Sequence, residues 1–411
     1  MSNFVSFAVP SLWNALGVPS AKLPIDGATL LSYVLPPLVC HFVAAVLAVT
    51  PRTRTIRVAI WPLVALLALR AALSVDMSQG RTERKFLNID LVLFMLSVAA
   101  RTLDWALAEV PLVRHPHPTN TSSSSIIMDA FDLVSDIRGH GWESSRYQSY
   151  IPRETRPTDR KTFVFCTFLS AIAHTLMCGA LHRAILMLAP VGVGSIPEGS
   201  TIFDESLPFV MQYLRASIIS ILAALAIYAV LQMTYDLSTI SAILILGHDP
   251  AHWPPVFDAP WCATSLNDFW GRRWHQLLRH TFLSLGGYPL SFILGRTGMV
   301  IGAFLASAVL HHIALVTLNS QMEMWWMLVG FGMMAPGILV ERAFYRLMGK
   351  RVGGVLGWIW TMAWLTLWGN VIVEGFARAG MFSCASFVDS MLPVRIPVEH
   401  LVVNFDVWLR T

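Results

Sequence analysis

Charge is what this sequence has least of. Only 13% of its 411 residues are Asp, Glu, Lys or Arg, while 55% are hydrophobic. Soluble domains carry roughly 25% charged residues, so a soluble globular fold is excluded, and so is a solvated, disordered chain. Cysteine is also thin. Cys40, Cys166, Cys178, Cys262 and Cys384 lie far apart with no CxxC, which argues against a disulfide framework and against a zinc site. The chain has no phosphate-cradling GxxxxGK[ST], no dinucleotide GxGxxG and no GxSxG elbow, and so lacks the usual signatures of nucleotide-dependent and serine-hydrolase chemistry. Heptads and internal repeats are missing too, which counts against a transporter built from inverted halves.

What the chain has in quantity is long apolar runs. Segments of roughly 20 apolar residues are membrane-length helices. They recur at Thr29–Val49, Ile56–Val75, Phe86–Ala108, Thr162–Leu188, Leu207–Met233, Met299–Leu318, Met324–Phe344 and Val355–Val373. The third carries Asp90, Arg101 and Asp104, so one of its faces is expected to meet protein or the interface. Phe282–Leu294 is too short to cross and is interrupted by Gly286, Gly287 and Pro289. That pattern predicts a re-entrant or half-helix. Phe4–Leu16 reads as an interfacial helix with no basic region before it, which argues against a cleaved signal peptide. The tail Met381–Thr411 is moderately apolar, and its crossing stays open. The expected fold is an all-α polytopic integral membrane protein with about eight or nine transmembrane helices plus a re-entrant or half-helix, in a single membrane domain over 1–411.

Loop charges set the expected orientation. Arg52, Arg54 and Arg57 follow the first span. Arg114, Arg138, Arg146, Arg153, Arg156, Arg160 and Lys161 follow the third, and Arg272, Arg273 and Arg279 follow the fifth. Pro190–Ser206 has no Lys or Arg. The positive-inside rule therefore places the 109–161 and 247–280 segments in the cytosol, against the dissent of Arg81, Arg84 and Lys85. If 282–294 re-enters, Arg342, Arg346, Lys350 and Arg351 fall in the cytosol as well. The Asn120-Thr121-Ser122 sequon is then cytosolic and unmodified. Within 109–161, Ile127, Phe131, Val134 and Ile137 recur at helical spacing and predict an amphipathic helix on the membrane surface.

An ionisable side chain inside a bilayer is expensive and marks a functional site by default. His311 and His312 sit in the Met299–Leu318 span. Successive helical residues point about 100° apart, so only one of them faces a given cavity, and Ser307 shares the face of His311. Histidine titrates near neutral pH and is the commonest proton-transfer residue; the plainer role for each is a structural bond to a neighbouring helix. Upstream, Arg272, Arg273 and Arg279 are interleaved with Trp270, Trp274 and His275. That composition suits a phosphate-binding surface, and equally an interfacial anchor. His174, Cys178 and His182 stand at i, i+4 and i+8 on the fourth span, where a packed helix face is the simpler reading than a metal site. His115 and His117 read as solvated loop residues. No histidine has an Asp four or five residues later, which leaves out the HxxxD patterns of soluble acyltransferases.

The run Ser265-Leu-Asn-Asp-Phe-Trp-Gly-Arg-Arg-Trp-His275 resembles the signature of wax-synthase-like proteins in the membrane-bound O-acyltransferase superfamily. Ser307-Ala-Val-Leu-His311 is similar to that family's Ser-Gly-Leu-Leu-His motif. It departs from it at Ala308 and Val309, and at His312, where an acidic residue often follows. Trp253–Trp261 and Arg138–Trp142 also resemble the family. The resemblance implies an acyl-CoA-dependent enzyme in which His311 is the base and His275 orients the reactants or stabilises the oxyanion. Arg272, Arg273, Arg279, Trp270 and Trp274 would meet the CoA, and Asn267, Asp268, Ser307 and His312 would line the substrate side. It implies no bound cofactor or metal; acetyl-CoA or another acyl-CoA is co-substrate. The partners implied are a lipophilic alcohol and membrane lipid, with no nucleic acid, and the location is the endoplasmic reticulum with the CoA side cytosolic. Fungal relatives of this kind acetylate terpenoid or meroterpenoid alcohols, whereas plant-type relatives make wax esters from long-chain alcohols. A non-catalytic transporter or lipid-binding protein is the alternative of another class.

Overall fold

A computed structural model describes residues 17–19, 21–113, 125–135, 142 and 151–384. The expected helix at Phe4–Leu16, the sequon, His115, His117, Arg138–Gly141, and the tail beyond Cys384 lie outside the described residues. The described chain is almost wholly helical. Eight of its helices are long and apolar enough to cross a membrane, close to the spans expected from hydropathy. It parses into two compact units, Met1–Tyr147 and Gln148–Thr411.

In the first unit, α1 is Gly27–Val49, α2 Arg54–Ser74 and α3 Phe86–Leu107. Asp26 starts α1 with a reciprocal cap: its carboxylate accepts the Thr29 N–H at 2.7 Å, and Thr29 Oγ1 accepts the Asp26 N–H at 2.7 Å. A π-helical turn at Leu30–Val34 precedes the prolines of α1; the widened turn accommodates rings that cannot donate a backbone bond. A two-residue parallel pair joins Leu23 to Val75 and Pro24 to Asp76. Alanines let α1 approach its neighbours: Ala44, Ala45 and Ala48 are buried around Trp105. Arg57 on α2 donates to the backbone carbonyls of Trp105 and Ala108.

The amphipathic segment forms α4, Ile126–Ser135. Its buried residues are Ala130 and Leu133, which pack with the α1 alanines, while Ile127 and Phe131 are exposed. The helix is therefore docked on the unit through Ala130, Leu133 and the partly buried Val134, while Ile127 and Phe131 face outward.

In the second unit, α5 is Arg160–Leu188 and α6 Phe209–Ile245. They run antiparallel, tied at one end by Arg215 Nε to the Leu188 carbonyl at 2.5 Å and along their length by Ser170 Oγ to Asp236 at 2.6 Å. Then α7, Arg279–Val316, folds back on itself. Gly295 has φ 58° and ψ −142°, a conformation open to glycine and strained for other residues. A Cβ at Gly302 would lie 2.1 Å from the Gly286 carbonyl oxygen, and one at Gly298 2.2 Å from that of Leu290. Only antiparallel arms bring residues that far apart in sequence so close. The short apolar segment is thus one arm of a tight helical hairpin, with the His311 helix as the other. Finally, α8 is Trp325–Met348 and α9 Gly354–Arg378.

Candidate active site

The segment from Trp253 to His275 leaves the end of α6, and its path is set by bonds from three sides. Tyr235 on α6 donates to the Pro254 carbonyl at 2.8 Å. Arg156 donates to the Trp253 carbonyl at 2.7 Å, and Trp358 on α9 donates to that of Trp261 at 2.8 Å. A short helix then begins at Leu266, capped by Ser265, whose hydroxyl accepts the Asp268 N–H at 3.0 Å. Beneath this start lies Glu341 of α8. Its buried carboxylate accepts the N–H groups of Leu266 at 2.6 Å and Asn267 at 3.1 Å, and the Trp360 indole at 3.1 Å. Two glycines allow the close fit. A Cβ at Gly337 would meet Leu266 at 2.4 Å, and one at Gly357 the Thr264 carbonyl at 2.3 Å.

The chain widens into a π-helical turn over Phe269–Arg273. Arg273 is turned onto this same segment. Its Nε lies 2.5 Å from Asp268 Oδ2, and its Nη1 donates to the carbonyls of Asp258 at 2.9 Å and Ala259 at 3.3 Å. Burial works to lower the Arg273 pKa, but the Asp268 carboxylate outweighs it and holds the group above its usual value. Arg272 and Asn267 are exposed, and Arg279 is partly buried at the start of α7. Phe269 stacks on Trp274 at 5.3 Å and 18°. His275 and Trp274 both pack against Phe257, at 6.0 and 5.2 Å between ring centroids. Trp270 meets Phe304 of α7 edge to face at 5.5 Å, while its indole nitrogen is buried with no hydrogen-bond partner among the described residues.

Phe304 and His311 are seven residues apart, so they share a helix face about 10 Å apart along the axis. His311 Nδ1 is 2.7 Å from the Ser307 carbonyl oxygen, and the Ser307 hydroxyl is 3.4 Å away. A carbonyl only accepts, so Nδ1 carries the hydrogen and Nε2 keeps its lone pair. The ring stacks on Phe331 of α8 at 4.3 Å and 27°. Next to it, His312 Nδ1 is buried without a partner among the described residues. The signature segment therefore touches the His311 helix through Trp270 and Phe304, on the face that carries His311. A cavity of about 410 Å³ opens beyond the end of α7, around Asn319, Trp326 and Arg378, and another of about 520 Å³ lies along α6 and α9. Neither of these two is lined by His275 or His311.

Motif spacing does not single out Glu341 and Asp236, although each stands inside a membrane-length helix, where a carboxylate is a functional signal. Of the spaced trio on α5, His182 donates from Nε2 to the Phe382 carbonyl at 2.9 Å, and His174 donates from Nδ1 to that of Ser170 at 2.8 Å.

Residues 253–332, which hold both motifs and the hairpin between them, match the membrane bound O-acyl transferase family. Over this stretch the chain is similar to membrane-bound O-acyltransferases. Acetyltransferase ple2 of Rhodocybe pseudopiperita is 26% identical over 277 residues, covering 62% of this chain and 69% of that protein. Acetyltransferase sirH of Emericella nidulans is 24% identical over 357 residues, 77% of this chain and 81% of that protein. O-Mevalon transferase yanI of Aspergillus niger is 29% identical over 169 residues, 40% of this chain and 37% of that protein. The matched region runs from the segment anchored on α6 to the helix that stacks Phe331 on His311.

Proposed function

We propose that this protein is a membrane-bound O-acyltransferase that moves an acetyl group from acetyl-CoA to the hydroxyl of a lipophilic terpenoid or meroterpenoid alcohol, in the endoplasmic reticulum membrane with the CoA side cytosolic. The observation that carries the reading is the bond from His311 Nδ1 to the Ser307 carbonyl, which leaves Nε2 as a proton acceptor within a membrane span. In the reaction, His311 Nε2 takes the alcohol proton as the oxygen attacks the thioester carbon. The C–O bond forms, the C–S bond breaks, and the proton passes to the leaving thiolate. His275 orients the reactants or stabilises the oxyanion. Arg272 and Arg279 face the CoA phosphates, while Arg273 and Asp268 hold the turn that presents them. The Trp270 indole nitrogen and His312 Nδ1, buried without a partner among the described residues, are groups for ligand oxygens or hydroxyls to satisfy. Ser307 and Asn267 complete the substrate side. Two of the relatives are named acetyltransferases, which favours acetyl over long acyl chains.

Purified protein incubated with acetyl-CoA and candidate terpenoid alcohols is expected to release free thiol and form ester. An His311→Ala variant that elutes as folded protein is expected to lose about 100-fold or more of kcat, the contribution of a general base. Full turnover by that variant would sink the assignment of the base.

A further inference from the structure

A second histidine cluster lies outside the site just described. On α5, Ser170-Ala-Ile-Ala-His174 repeats the local pattern of Ser307-Ala-Val-Leu-His311. In both, the ring Nδ1 donates to the carbonyl of the serine four residues back, at 2.8 and 2.7 Å. The α5 copy has an addition. Asp236 of α6, 1% exposed, accepts the Ser170 hydroxyl at 2.6 Å and the Gln232 amide at 2.8 Å, and lies 3.9 Å from His174 Nδ1. A carboxylate within a membrane span is costly unless its oxygens are satisfied, so this cluster holds α5 and α6 in one register.

The register has a consequence for the signature segment. The His174 ring meets Tyr228 edge to face at 5.5 Å. Tyr228 packs on Phe257 at 4.6 Å and on Trp261 at 5.5 Å. Phe257 is the ring against which both Trp274 and His275 are seated. We propose that Asp236, Ser170 and His174 are positioning residues for the acyl-donor side: they fix Tyr228, and Tyr228 sets the Phe257 wall that seats Trp274 and His275. The inference rests on the reading of the signature segment as the donor platform. The cluster acts through packing, so its loss weakens donor binding and leaves proton transfer at His311 intact.

The test uses the full chain in lipid nanodiscs, with Asp236→Asn, Tyr228→Leu and Tyr228→Phe variants. Asp236→Asn puts an amide N–H where a lone pair was required; Tyr228→Leu removes the ring, and Tyr228→Phe keeps it. The first two are expected to raise KM for acetyl-CoA about tenfold, with a smaller fall in kcat through the displaced His275, and Tyr228→Phe to behave as wild type. Because both changes act through one ring, Asp236→Asn combined with Tyr228→Leu should be no worse than Tyr228→Leu alone. Equilibrium binding of CoA to the same proteins gives a second readout that needs no turnover, and should weaken in parallel. Unchanged KM and CoA affinity in both disruptive variants, a loss confined to kcat, or Tyr228→Phe as poor as Tyr228→Leu would overturn the inference. If Asp236→Asn does not fold, the two Tyr228 variants decide it. Wild-type protein that binds CoA but transfers no acetyl group would defeat the proposed reaction instead, leaving the binding comparison to judge this one.

Discussion

Glu341 illustrates how much one buried side chain decides here. Its carboxylate serves three donors at once, two of them backbone N–H groups at the start of the signature turn. Glutamine offers one oxygen and turns an NH2 toward donors, leaving at least one N–H unsatisfied at about 1–3 kcal/mol. Glu341→Gln is therefore expected to lower kcat/KM at least about tenfold while the protein still folds; steady-state kinetics check it. Glu154 gives a pH-dependent case outside the spans. Burial raises the pKa of its carboxyl, but bonds from the Arg156 guanidinium and backbone outweigh that and hold it below the usual range. A depressed carboxylate pKa contributes stability that is fully present above the unfolded value, about 4.3, and is lost as pH falls through the lower folded value. Wild type should thus melt above Glu154→Gln at pH 7, by about 1 kcal/mol or less for so partly exposed a pair, and the gap should close in acid. Thermal unfolding of both proteins in detergent between neutral and acid pH measures it. Residue types alone pointed to His311, His275 and the arginines. They could not show that Arg273 is held to its own segment, because that depends on Asp268 and two carbonyls closing around its guanidinium.

The membrane-length helices were legible because hydropathy accumulates along a run, and eight of them stand where the runs stand. The interrupted segment Phe282–Leu294 was legible as a segment that turns back. The position of the turn was not. Gly286 and Gly287, which look like breaks, lie within helical backbone, and the reversal is at Gly295. The role of Gly286 is contact: its carbonyl faces Gly302 across the hairpin. Gly302→Ala would put a methyl 2.1 Å from backbone, which cannot yield as a side-chain tip can. A loss of about 1–3 kcal/mol or more is expected, with lower activity as the His311 arm shifts. Gly332→Ala, where a Cβ meets nothing within 4 Å, is the control and should melt like wild type. Thermal stability of the two variants in detergent makes the comparison. In α4, Ile127 and Phe131 of the periodic set are exposed, while Val134 joins Ala130 and Leu133 in the contact; periodicity finds an apolar face but does not say whether lipid or protein covers it.

For the chain as a whole, the distribution of Lys and Arg predicts a cytosolic signature segment, and Cys262 offers a direct check of that expectation. It is exposed, whereas Cys40, Cys166 and Cys178 lie partly buried in α1 and α5, and Cys384 is buried. In sealed microsomes, whose outer face is cytosolic, a membrane-impermeant maleimide should label the wild type, and Cys262→Ser should lose most of that labelling. Labelling that appears only after detergent would place the segment in the lumen. Sequence by itself determined that this protein lives in a bilayer, which runs cross it, and which residue types are available for proton transfer and phosphate binding. These follow from composition and local order. Only the tertiary structure decided which polar groups are already committed: Glu341 bonds a turn 75 residues away in sequence, Asp268 holds Arg273 to its own segment, and Phe304 brings the His311 helix to Trp270. The reason is physical. Hydropathy is a property of a segment, whereas the satisfaction of a buried polar group is a property of a pair, and the partners here are joined by folding rather than by order along the chain.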